Sequence, residues 1–441
     1  MTRNPTHILT TIMNIASAGL SLDQRIAYLR TLPAIRERCG RVHDLAKQGK
    51  LQYFDYHPDK EGLAAEYCIN IIKRDFGGDF ASIPPHGRWR HLDAGLPRVQ
   101  PLIEKWNASA SPPDRKEITK RLIDLFLVSV LLDAGAGNTW AYHEPASGQE
   151  FTRSEGLGVA SINMFEAGFF SGDRMQPYKV DAAGLEKITV EKTAQAMQVS
   201  ASNPMVGLEG RASLLQNLSR ALKQNPTFFG DEGRPGNMLD YLESESILEG
   251  SSRRLPVAAL WYVLITGLAP IWPTDRTSLG GVPLGDVWPC DALKSTAIDE
   301  SDALVPFHKL TGWTAYSLIE PIEKVLGWKF EGTEDMTGLP EYRNGAHLAL
   351  NLNCEILLTI YAIPRLPPSH PTIIEWRAMT VIELDRLADL IRQKLGLSTN
   401  ELTLAQVLES ATWKGGRTIA QEKRPETCGP PIDIQSDGTI F

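Results

Sequence analysis

Residues 118–132 read ITKRLIDLFLVSVLL. Ile118, Leu122, Leu125, Phe126, Ser129 and Leu132 recur at three- and four-residue steps, which puts them on one face of an α-helix. The same period returns elsewhere. Ile26, Leu29, Leu32 and Ile35 keep it upstream; Leu214, Leu215, Leu218 and Leu222 keep it downstream, behind a turn at Asn203-Pro204. Trp313, Tyr316, Ile319, Ile322 and Leu326 make another face, which Pro321 is expected to kink or divide. A long amphipathic stretch starts at Ile374 and is stopped at Gly396. Alternating patterns are scarce, with Leu157 to Ile162 and Ile432 to Phe441 as the best short strand candidates. The expectation is a mainly α, compact helical fold with few short strands.

A chain of 441 residues allows one to three domains at roughly 150 residues each. Breakers divide it into an expected N-terminal helical lobe over residues 1–190 and a C-terminal helical lobe over residues 191–441, or leave one compact unit. The formal charge of −8 argues against a nucleic-acid partner, because a duplex-binding face makes a domain basic. The most apolar run, Val257 to Trp272, contains Pro270 and is followed by Pro273, so it reads as a buried helix and no membrane partner is expected. Met1 to Thr11 lacks a basic stretch followed by an apolar core, so no secretory signal is expected. Five scattered cysteines with no CxxC pair read as reduced thiols, and the expected location is cytoplasmic.

Standard nucleotide, zinc-protease and serine-hydrolase motifs are absent. Asp133-Ala-Gly-Ala-Gly reads as a helix C-terminus capped by Gly135 or Gly137. His86 and His91 are separated by Arg88, Trp89 and Arg90, whose positive charge disfavours a metal. That segment suits an anion, with Arg88 and Arg90 as forks for phosphate or carboxylate, or else as partners of internal acids.

Three downstream segments carry the other chemical candidates. In VPFHKL, His308 and Lys309 stand between a proline-stiffened strand and an apolar helix. Lys309 is either partly buried with a perturbed pKa or snorkels to solvent. In LPEYRNG, Glu341 precedes a turn beside Tyr342 and Arg343. It either holds a water against a developing cation or complements a helix dipole. In EWRAMT, Glu375 and Arg377 begin the long helix and are expected to make buried pairs that position the other two segments.

These segments also carry a resemblance. The stretches PPHGRWRHLDAG, VSVLLDAGAGNTW, RSEGLGVAS, NPMVGLEGRASLL, LGGVPLGDVW, LVPFHKLTGW, TGLPEYRNG, EWRAMTV and SDGTIF span almost the whole chain. They closely resemble the fungal and bacterial uracil-catabolism family, formerly a domain of unknown function. That resemblance implies a role near the release of urea from a ribosylated, ring-opened pyrimidine. More distantly, the order VPFHK, LPEYR, EWRAMTV is similar to the queuosine-salvage N-glycosidases, whose helical fold resembles the helix-hairpin-helix DNA glycosylases. Carried over by position, Lys309 falls on that family's active-site lysine. Glu341 falls on its catalytic aspartate, a departure by one methylene.

The activity implied is a hydrolase that cleaves the N-glycosidic bond of ribosylurea or its 5′-phosphate, with Glu341 and Lys309 catalytic. Arg88, Arg90 and Arg153 are candidates for a phosphate; Trp313, Tyr342, His308 and Arg343 are candidates for the rest of this small nucleoside- or nucleotide-derived substrate. No metal or organic cofactor is called for. A non-catalytic sensor of a pyrimidine catabolite and an amidohydrolase acting on a ureido intermediate are the alternatives.

Overall fold

The computed structural model describes residues 19–137, 139–273, 275–341, 343–344, 354–356, 365–426, 429 and 432–435, with only the backbone of 354–356. The frame comprises α1 (Leu32–Lys47), α2 (Arg115–Leu131), α3 (Arg153–Glu166), α4 (Leu208–Gln224), the short strands β1 (Val287–Pro289) and β2 (Leu304–Pro306), then α5 (Lys309–Leu326), α6 (Pro371–Leu395) and α7 (Trp413–Lys423). The fold is mainly helical, as the periodicity predicts.

The opening segment supplies the central helix. In α2, Leu122, Ile123, Leu125, Phe126, Leu127 and Val128 have no exposed surface, so the helix is enclosed on all sides rather than along one stripe. Asp114 caps its start by accepting the Glu117 N–H at 2.7 Å. α5 and α3 pack along it, and α6 packs along α1. The main apolar core extends from Leu32 to Ile432 and draws on both sides of residue 190.

The C-terminus of α2 departs from the expected glycine cap. Arg211 of α4, fully buried, donates Nε to the Leu132 carbonyl at 3.0 Å and Nη2 to that of Ala134. A guanidinium thus donates to carbonyls at the helix end, where a left-handed glycine cap would have used backbone N–H groups. The glycines after Asp133 are left to form a thin wall. Gly137 has φ 86°, and a Cβ there would lie 2.9 Å from Val206 Cγ2.

Leu157 to Ile162 is helix, not strand, and belongs to α3. It reads as an alternating run because small residues pack on every side of the helix. A Cβ on Gly158 would lie 2.5 Å from the His91 carbonyl oxygen. Gly158→Ala should therefore destabilise the protein by about 1–3 kcal/mol, although alanine is the better helix former by about 1 kcal/mol. Urea unfolding checks this; an unchanged or raised midpoint would show that α3 can move away from His91.

Pro321 does not divide α5, which runs unbroken from Lys309 to Leu326 with the proline buried. Packing along α2 holds the helix together across the missing N–H. Of the second strand candidate, Ile434 makes a single parallel bridge with Leu366, and residues 436–441 lie outside the described residues. The run from Val257 begins as a helix over Val257–Tyr262, continues as a π-turn over Val263–Gly267 and ends in a 3₁₀ turn over Ala269–Ile271. Among the described residues, no helix is long and apolar enough to cross a membrane.

Candidate active site

β2 leads into α5 through a strained joint. His308 has φ 46° and ψ 40°, in the left-handed region. Burial holds it there: the ring has no exposed surface, and Nε2 lies 2.8 Å from the Leu29 carbonyl oxygen. The next residue, Lys309, donates its backbone N–H to Asp286 Oδ2 at 2.9 Å.

Asp286 is the hub of this joint. It accepts Trp288 Nε1 at 2.8 Å and two bonds from Arg377, each 2.8 Å. Burial alone would raise the Asp286 pKa. The charge and hydrogen bonds of Arg377, with the Lys309 N–H, hold it well below the usual carboxylate range. Arg377 also donates Nε to the Pro340 carbonyl at 3.3 Å and stacks over Phe307 at 4.1 Å. One guanidinium of α6 therefore ties the start of α5 to the residue before Glu341.

The Glu341 turn closes on itself. Asn344 donates its backbone N–H to Glu341 Oε1 at 2.9 Å and its side-chain amide to the Leu339 carbonyl at 3.1 Å. Thr412 Oγ1 donates to Asn344 Oδ1 at 2.9 Å. In α7, a Cβ on Gly416 would lie 1.8 Å from the Arg343 carbonyl oxygen, so glycine is what lets that helix press on the turn.

The two segments meet in a cavity of about 460 Å³, whose lining includes Lys309, Glu341, Asp133, Arg153, Trp313 and Arg343. Burial lowers the pKa of the Lys309 ammonium, while the carboxylates of Glu341 and Asp133 work in the opposite direction. The second carboxylate is itself anchored. Arg88 Nη1 lies 2.7 Å from Asp133 Oδ1, and Arg88 Nε donates to Ser129 Oγ at 2.7 Å. An aromatic wall stands on another side, where the His86 ring centroid is 4.7 Å from that of Trp313 and 5.9 Å from that of Trp413.

A family model described as "Protein of unknown function (DUF1688)" matches residues 28–441. The chain belongs to the DUF1688 family. It is 40% identical over 445 residues to "Uracil catabolism protein 4" of Lachancea kluyveri, covering 96% of this chain and 100% of that one. It is 41% identical over 422 residues to "Protein urg3" of Schizosaccharomyces pombe, covering 95% of this chain and 99% of that one.

In this DUF1688 chain the expected site residues fall into two groups. Lys309, Glu341, Arg153, Trp313 and Arg343 line the cavity. Arg153 is the first residue of α3 and has φ 54°, and Arg343 lies over the Trp413 ring at 4.1 Å. The rest stand apart from the lining. Arg88 is fully buried behind Asp133, Arg90 pairs with the buried Glu320, and His308 faces Leu29. Tyr342 lies outside the described residues. Glu375 does not partner Arg377; it accepts the backbone N–H groups of Gln52 at 3.3 Å and Tyr53 at 3.2 Å. Burial raises its pKa to about 7.

Sequence reasoning on this DUF1688 chain missed Asp286, Glu409 and Trp413; it read His86 only as part of a cationic segment and Asp133 only as part of a capped helix end. Asp133 carried one usable signal, an acid directly after the largely apolar run Leu125 to Leu132 that ends the helix. Glu409 carried none, because its partner His86 is 323 residues away.

Proposed function

We propose that this protein acts in uracil breakdown as an N-glycosidase that hydrolyses ribosylurea, or its 5′-phosphate, to urea and the sugar. The observation that carries this reading is that Lys309 and Glu341, from separate segments, line one cavity together with the anchored carboxylate of Asp133. The name of the Lachancea kluyveri relative supports the pathway.

Cleaving the bond leaves positive charge at C1′ of the sugar and an electron pair on the departing nitrogen. Glu341 is assigned to the face of C1′, where its carboxylate stabilises the cation and takes a proton from the attacking water. Lys309 stands in the field of both Glu341 and Asp133. It orients Glu341 and balances the two negative charges before substrate arrives. Arg153 and Arg343 supply positive charge on the same lining for a 5′-phosphate. A cavity of about 460 Å³ lies within the usual span of small-molecule sites, about 300–1,000 Å³.

The test is direct. Purified protein is incubated with ribosylurea and with its 5′-phosphate in separate reactions, and urea and sugar are quantified. Equal amounts of urea and intact sugar are expected from at least one of them. Carbon dioxide and ammonia would instead indicate an amidohydrolase, and binding without turnover would indicate a sensor. Lys309→Met should lower kcat by about 100-fold with thermal stability retained. An unchanged rate would make Lys309 a structural residue.

A further inference from the structure

We propose that His86, oriented by Glu409, is the proton donor to the nitrogen that leaves C1′, an inference that rests on the N-glycosidase reading above. A ureido nitrogen departing as an anion is a very poor leaving group, so hydrolysis at neutral pH needs an acid on that side of the bond. Lys309 is assigned a different task, because burial lowers its pKa and the carboxylates of Glu341 and Asp133 are the charges that oppose that shift.

His86 is placed for the task by several contacts. It lines the same cavity as Lys309 and Glu341. Its Nδ1 lies 2.7 Å from Glu409 Oε2, and both residues are buried. A carboxylate at that distance fixes the ring orientation and occupies Nδ1, so Nε2 is the nitrogen that remains for a cavity ligand. The backbone N–H of His86 is held by the Ala405 carbonyl at 2.9 Å, and Trp313 and Trp413, which also line the cavity, stand beside the ring. The other imidazole of the wall does not suit the role. Burial, with the positive charges around it, holds the His91 pKa well below its usual value, so it is neutral at pH 7.

The C1′–N bond breaks, its electron pair stays on nitrogen, and the Nε2 proton of the doubly protonated His86 goes to that nitrogen. Water adds to C1′ and gives a proton to Glu341. Return of that proton to His86 through solvent resets the site, with one water consumed, and urea and the sugar released.

His86→Asn separates a chemical role from a structural one. The asparagine amide can take the place of Nδ1–H against Glu409, but it has no acid at the Nε2 position. On ribosylurea, kcat should fall about 100-fold or more, KM should stay within about threefold, and the melting temperature should hold. Glu409→Gln should lower kcat by about tenfold, because the ring loses its fixed orientation. Full activity in His86→Asn, or a loss confined to KM, would overturn the assignment while wild-type turnover kept the N-glycosidase reading intact. A wild type that releases no urea would remove both.

Discussion

Glu341→Gln should lower kcat on ribosylurea by about 10²–10⁴-fold while leaving the protein folded. The substitution keeps the shape of the side chain and an oxygen that can still accept the Asn344 N–H, a bond of 2.9 Å in the native turn. The turn keeps its other ties, including the bond from Thr412 to Asn344 at 2.9 Å. What is lost is the negative charge beside the site of the developing cation and the base that takes a proton from water. A melting temperature close to that of the wild type, with turnover collapsed, is the expected pair of results. Comparable turnover would remove Glu341 from the mechanism and leave Asp133 as the carboxylate to test next. The Lys309 ammonium should also respond, because Glu341 is the first of the carboxylates that oppose its burial; in the variant its pKa should fall further.

Arg377→Leu should cost about 3–5 kcal/mol of stability, the usual consequence of leaving a buried partner uncompensated. Asp286 has no exposed surface, and Arg377 supplies two of its hydrogen bonds, each 2.8 Å. The cost should depend on pH. In the wild type the folded pKa of Asp286 is depressed, so the pair contributes stability at pH values above the unfolded pKa of about 3.9. That contribution is lost as pH falls through the acid range. In the variant, burial without Arg377 pushes the Asp286 carboxyl upward, and protonation then relieves the strain. The gap between the two proteins should therefore be widest near neutral pH and shrink towards pH 4. Urea unfolding at several pH values measures it, and a pH-independent gap would mean that lost packing over Phe307 dominates. The double variant Arg377→Leu, Asp286→Asn should recover part of the stability. It should not recover turnover, because Arg377 also holds the Pro340 carbonyl beside Glu341.

Much of this architecture is legible one segment at a time. The apolar spacing of Ile118 to Leu132 and of Ile374 onward identifies α2 and α6, because a helix is a local object whose period depends on near neighbours. Lys309, Glu341 and Arg377 stand out for a similar reason: each is a charged residue embedded in an apolar or proline-stiffened stretch. Local pattern misleads where size replaces polarity as the signal. Leu157 to Ile162 looks alternating, yet Gly158 allows a helix to approach the His91 backbone, and sequence distance conceals that contact. The same holds at Gly135 and Gly137, where the cap comes from Arg211 on another helix.

Tertiary packing alone chose the partners of the charges. In the sequence Arg88 and Arg90 read equally as forks for an anion or as partners of internal acids, and folding decides for the acids, placing Arg88 against Asp133 and Arg90 against Glu320. Arg377 stands two residues from Glu375 and pairs with Asp286, 91 residues away. Helix formation is settled by neighbours along the chain and leaves a regular period to read. Ion pairing depends on distance through space and on the exclusion of water, and neither leaves a period in the sequence.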